Sequence, residues 1–132
     1  MVGGFKDIYG GETTVARLWR WVIDLEKGTV SEEQLDDGAC DFPRINDQLI
    51  GLKSEYGYCM QLKTDVEDLT FGEHLFKYHL ESGKRTDHHL GTNVAGGEPV
   101  FASKPEPSCE DEGWILSLVH ERETRQLSLI HI

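Results

Sequence analysis

Two carboxylates stand where the chain turns into an extended segment. Glu98 lies in Gly97-Glu98-Pro99-Val100-Phe101, where a Gly-Glu-Pro turn opens into a short apolar strand. Asp41 lies in Cys40-Asp41-Phe42-Pro43-Arg44-Ile45-Asn46, and Pro43 argues for a strand end or edge, since a central strand needs every N–H. On residue type alone, Glu98 is a turn carboxylate that accepts backbone N–H groups, and Asp41 an N-terminal strand residue in water. The six histidines, His74, His79, His88, His89, His120 and His131, raise the question of a metal. A bound ion needs several imidazoles or carboxylates converging at about 2.1 Å. Ligands on one strand share a face at i and i+2, and no HxH occurs here. His88 and His89 point to opposite faces if extended. His79 falls opposite Phe76, Tyr78 and Leu80, which directs it to solvent. No GxSxG, HExxH, phosphate-binding loop or dinucleotide glycine pattern is present.

The elements that must position these residues read as short strands. Val15 to Leu25 alternates, with Trp19, Trp21, Ile23 and Leu25 on one face, as a half-buried strand does. Lys27-Gly28 is a turn, and Thr29 to Leu35 reads as a short returning strand. A helix competes there, because Ser31-Glu32-Glu33 resembles an N-cap with an acidic first turn. Asp36-Asp37-Gly38 reads as a second turn. Tyr56 to Leu62 and His74 to Glu81 read as strands, with Lys63 to Gly72 a polar surface loop between them. Ser82-Gly83-Lys84 forms a hairpin turn to a strand from Arg85 to Leu90. Asn93 to Gly97 reads as loop and Val100 to Ala102 as a short strand. Lys104 to Glu112, with Pro105 and Pro107, is irregular. Trp114 to Glu121 is so apolar that burial on both faces is expected. Arg122 to Arg125 turns into a last strand from Gln126. Turn signals at such regular spacing favour an all-β sandwich or propeller.

Composition narrows the partners. With 132 residues there is room for one domain with a core. Thirteen basic against 24 acidic residues give a formal charge of -11, a field that repels a phosphate backbone, so no nucleic acid is expected. Cys40, Cys59 and Cys109 are odd in number, widely spaced and without CxxC, as reduced thiols of an intracellular protein are. Met1 to Ile8 lack the charged start and apolar stretch of a secretory signal, so the chain is expected in the cytoplasm or peripheral to a membrane.

Five segments in fixed order resemble the C-terminal part of the carotenoid cleavage oxygenases, a family that includes apocarotenoid and lignostilbene dioxygenases. Arg20-Trp21 resembles its RW strand start, and Phe42-Pro43-Arg44-Ile45-Asn46 its EFPRIN segment. Tyr56-Gly57-Tyr58 resembles its RYGY segment, and Phe76-Lys77-Tyr78-His79 with Gly83 its KyD hairpin. Glu98 to Val119, from GEPVF to EDEGW, is the closest likeness. The resemblance implies the late blades of a seven-bladed β-propeller, incomplete in this chain. Residues 1–14 would be an irregular N-terminal segment, and 15–132 a partial propeller ending before the closing strand.

The same resemblance implies a parent that binds Fe2+ through four histidines and uses O2 to cleave a double bond of a hydrophobic polyene into two carbonyl products. In that family three glutamates hydrogen-bond the remaining ring N–H of ligand histidines, which fixes tautomer and ring orientation. Glu98 corresponds to one of them. Asp41 stands at the position of another, one methylene shorter. The four ligand histidines correspond to nothing here and would lie outside the chain, so no metal ligand, no catalytic residue and no iron bound to this chain alone are expected. The chain departs from the family pattern at Glu55, where arginine is usual, and at His79 and His131, where aspartate is usual. Self-association of open blade faces and membrane-surface association of the parent are further expectations. Two alternatives stand beside this reading. One is a propeller-derived structural or interaction domain that has lost its metal. The other is a metal hydrolase using His88, His89 and His120.

Overall fold

The computed structural model describes residues 15–64 and 70–132; residues 1–14, expected to be irregular, lie outside them. Among the described residues nine strands carry the fold: β1 (Arg17–Asp24), β2 (Thr29–Arg44), β3 (Tyr56–Lys63), β4 (Thr70–His79), β5 (Lys84–His89), β6 (Val94–Gly96), β7 (Val100–Ser103), β8 (Gly113–Glu121) and β9 (Gln126–His131). A 3-10 turn, Asp47–Leu49, is capped by the Asn46 side chain. The chain is all-β, in two antiparallel sheets. One runs in the order β1-β2-β3-β4-β5. In the other, β6 and β7 lie end to end along one edge of β8, and β9 pairs with its other edge.

Hairpins connect neighbours in sequence. Gly28 and Gly83, at φ 62° and 68°, take the left-handed conformation that the turns after β1 and β4 require. The order of β2 is less simple. The expected turn at Asp36-Asp37-Gly38 is an irregularity within one 16-residue strand. The register with β1 jumps there from Trp19↔Gln34 to Arg17↔Ala39, and from Cys40 onward β2 pairs with β3. The turn-forming chemistry is used to kink the strand. Asp36 accepts from the Gly38 N–H and anchors the kink through Tyr78 Oη at 2.8 Å and Arg85 Nη1 at 2.7 Å. The helix that competed for this stretch does not form.

The core lies on both sides of β3 and β4. Adjacent residues there point to opposite clusters, as period-two geometry requires. Cys40, Cys59, Phe76 and Tyr78 pack on one face with Leu18 and Leu80. Tyr58, Leu75, Phe101 and Ile115 pack on the other, joining the two sheets. Tyr58 and Phe101 stack at 5.5 Å across that joint. Each large side chain buried this way contributes on the order of 2 kcal/mol.

Four further expectations need correction. Lys63 belongs to β3, and β4 already includes Thr70 to Gly72, so the polar loop is shorter than read; its middle lies outside the described residues. Val94–Gly96 is a strand because the β8 edge gives it a ladder partner. β8 is buried on one face only: Ile115, Ser117 and Val119 point inward, while Trp114 and Leu118 are exposed. β1 shows the same mismatch, with Trp21 66% exposed in spite of its alternating pattern. Both apolar faces are written for burial, and no described residue covers them.

Candidate functional site

Asp41 and Glu98 occupy similar places, each at a break in register with the neighbouring strand: Asp41 is the last paired residue before one, and Glu98 lies within the other. Between Asp41↔Met60 and Arg44↔Tyr58, three steps on β2 face two on β3, which is a bulge. Phe42 takes φ 55°, a conformation costly for a bulky side chain, and Pro43 has no N–H to offer a ladder. Asp41 Oδ1 accepts the Phe42 N–H at 2.7 Å and so satisfies the donor that the bulge removes from pairing. Between Gly96↔Val119 and Val100↔Leu116, four steps face three on β8, and Glu98 stands in that second bulge. Ser117, 2% exposed, closes it: its Oγ donates to Gly97 O at 3.0 Å and accepts from Gly97 N at 3.3 Å. A Cβ at Gly97 would sit 2.9 Å from Leu118 O, so glycine is needed there.

Arg44 ties one bulge to the other. Its Nη1 lies 3.3 Å from Glu98 Oε1 and its Nη2 lies 3.5 Å from Asp47 Oδ2. The Glu98 side chain is about half exposed. Asp41, shorter by one methylene, has Oδ1 committed to its own bulge. The structure thus brings Glu98 to the Asp41 segment through Arg44, a residue the sequence reading quoted only as part of a motif.

The acidic run before Trp114 holds this arrangement in register. Glu110 accepts from the backbone N–H of Glu55 and Tyr56 at 2.8–2.9 Å, docking the loop on the start of β3. Asp111 meets Lys77 of β4 at 2.5 Å, and that ammonium holds its carboxyl below the usual range. Glu112 accepts from the N–H and hydroxyl of Ser108, each at 2.8 Å, and from Lys104. Those bonds, led by the Ser108 N–H, pull its pKa down to about 2. Glu110 and Asp111 therefore fix the loop against the other sheet, while Glu112 ties the loop to itself. Ser117 was equally legible in principle, because a lone hydroxyl inside an apolar strand needs a buried partner.

The histidines are spread over β4, β5, β8 and β9 and do not gather at one point. His79 Nδ1 bonds Ser82 Oγ at 2.8 Å and closes its hairpin. His88, His89 and His120 do not converge. Among the described residues no group of three or more His, Cys, Asp or Glu is arranged to hold a metal ion. The three cysteines are free thiols, with Cys40 and Cys59 buried.

The all-β fold, with its two sheets left open, is that of late blades of a β-propeller. A family model described as RPE65, retinal pigment epithelial membrane protein, matches residues 4–132, and the chain belongs to that family. The apocarotenoid-15,15'-oxygenase of Synechocystis is 27% identical over 128 residues, covering 97% of this chain and 26% of its own. A carotenoid cleavage oxygenase of Mycobacterium tuberculosis is 31% identical over 110 residues, covering 81% of this chain and 22% of its own. A lignostilbene-alpha,beta-dioxygenase of Sphingomonas paucimobilis is 26% identical over 143 residues, covering 96% and 29%. The structure of cobalt-substituted Synechocystis apocarotenoid oxygenase superposes with a TM-score of 0.78 at 28% identity, covering 88% of this chain and 24% of that one. That substitution marks the relative as a metalloprotein. The chain spans about a quarter of the length of these relatives.

Proposed function

We propose that the chain is the late-blade portion of a non-haem Fe(II) dioxygenase that cleaves a double bond of a carotenoid, apocarotenoid or stilbene to two carbonyl products. The observation that carries this reading is the setting of Glu98. The Ser117–Gly97 bonds anchor the backbone just before it, and its half-exposed side chain has Oε1 3.3 Å from Arg44 Nη1. A carboxylate so restrained accepts the ring N–H of an imidazole whose other nitrogen binds metal, and it sets that ring's tautomer and orientation. The described residues do not themselves fit an iron site, so the imidazoles would come from elsewhere in the parent. Iron(II) bound by them would supply the oxygen chemistry. This chain supplies blade wall, packed core and the restrained carboxylate.

The decisive variant is Glu98→Gln in the intact parent. An amide cannot draw the imidazole N–H as a carboxylate does, so iron retention during dialysis and cleavage of an apocarotenoid should each fall about 10–100-fold. Retention of both at the wild-type level overturns the assignment.

A non-catalytic structural or interaction domain is favoured by one observation. Asp41 turns its Oδ1 back to Phe42 N, where the family resemblance implies a longer side chain reaching an imidazole. Asp41→Glu separates the two readings: it raises iron retention in a working oxygenase and changes nothing in a domain without metal.

A further inference from the structure

His74 and His89 stand directly opposite each other on β4 and β5, so their side chains leave the same face of the sheet. Their ring centroids are 4.9 Å apart with a 45° tilt between planes. Two imidazoles bound to one ion at about 2.1 Å, at a near-tetrahedral angle, have centroids about 5 Å apart. The pair therefore already has the spacing of a two-ring chelate. His74 Nδ1 is buried with no hydrogen-bond partner, an unmet demand that a cation between the rings answers. Beside them Glu73 commits Oε1 to Lys63 Nζ at 3.1 Å and to Asn93 N at 3.0 Å. Its other oxygen, Oε2, is left 3.8 Å from His89 Nε2.

We propose that His74 and His89 bind a divalent transition-metal ion of the zinc class, with Glu73 Oε2 as third ligand. Imidazole nitrogen with one carboxylate oxygen is a donor set that suits Zn2+. Without the ion the three side chains are not yet arranged to hold it; Glu73 completes the set by rotating Oε2 toward the rings. Lys63 opposes the ion's charge but holds the far oxygen of Glu73 and so steers the near one. The bound ion staples β4 to β5 and, through Asn93, to the entry of β6. Spacing along the sequence hides this pair, because its ligands share a face across two strands and lie 15 positions apart (89 minus 74).

The test is calorimetric titration of Zn2+ into the 132-residue chain in a buffer without phosphate or chelator. One ion per chain is expected for the wild type. His89→Ala, at a half-exposed position, should weaken binding about 10-fold or more while circular dichroism confirms the fold. Glu73→Gln should weaken it less. His88→Ala, on the opposite face of β5, should leave it unchanged. Wild-type protein that takes up no zinc, or an His89→Ala protein that binds as the wild type does, overturns the proposal.

Discussion

Arg44 Nη1 lies 3.3 Å from Glu98 Oε1 and joins the bulge of one sheet to the bulge of the next. Both side chains are partly in water, so the pair orients more than it stabilises. An ion pair of this exposure is worth under about 1 kcal/mol. A double-mutant cycle of Arg44→Leu and Glu98→Gln in urea unfolding should give a coupling energy below that value. A coupling of several kcal/mol would show that the link is desolvated and structural.

Ser117→Ala should cost more, although it removes a single oxygen. The hydroxyl satisfies both Gly97 N and Gly97 O inside the protein. Leaving those groups unpaired costs about 1–3 kcal/mol. Denaturant titration reads this directly, and a loss below a few tenths of a kcal/mol means that Gly97 has found other partners.

The loop from Lys104 to Glu112 should loosen in acid. The Glu112 pKa is depressed from 4.5 to about 2 in the folded chain. A depressed carboxylate stabilises the fold above its unfolded pKa and loses that contribution as pH falls through its folded one. The window is therefore about pH 4.5 down to about 2. The Ser108 amide resonance should shift across that window, and the shift should vanish in Glu112→Gln. A midpoint near 4.5 would show that the Ser108 bonds do not form in solution.

The uncovered faces should find each other. Trp21 on β1 and Leu129 on β9, 66% and 67% exposed, mark two apolar surfaces on different sheets. Surfaces of this kind associate. Sedimentation velocity should show a coefficient that rises with concentration. Trp21→Glu or Trp114→Glu should each suppress the rise. A single monomer boundary at every concentration counts against open blade faces.

Much of the fold was legible because period-two patterning and Gly turns are local: Trp19 to Leu25, Lys27-Gly28 and Ser82-Gly83-Lys84 needed no distant partner. Asp36-Asp37-Gly38 misled because the same residues make a turn or a kink, and Tyr78 and Arg85, more than 40 positions away, decide which. Glu98 and Asp41 stood out through motif and resemblance. Arg44 and the His74–His89 pair did not, because their significance lies in which strands become neighbours.

By itself the sequence determined the secondary-structure class, the Gly-Glu-Pro turn, the strand break at Pro43, and membership of an oxygenase family, since all of these reside in short runs of residue type. Only the tertiary structure decided that Arg44 reaches Glu98, that each acid of Glu110-Asp111-Glu112 holds a separate partner, and that two histidines face one another. Those relationships depend on strand register, and register is set by long-range packing of the Tyr58–Phe101 core between the sheets.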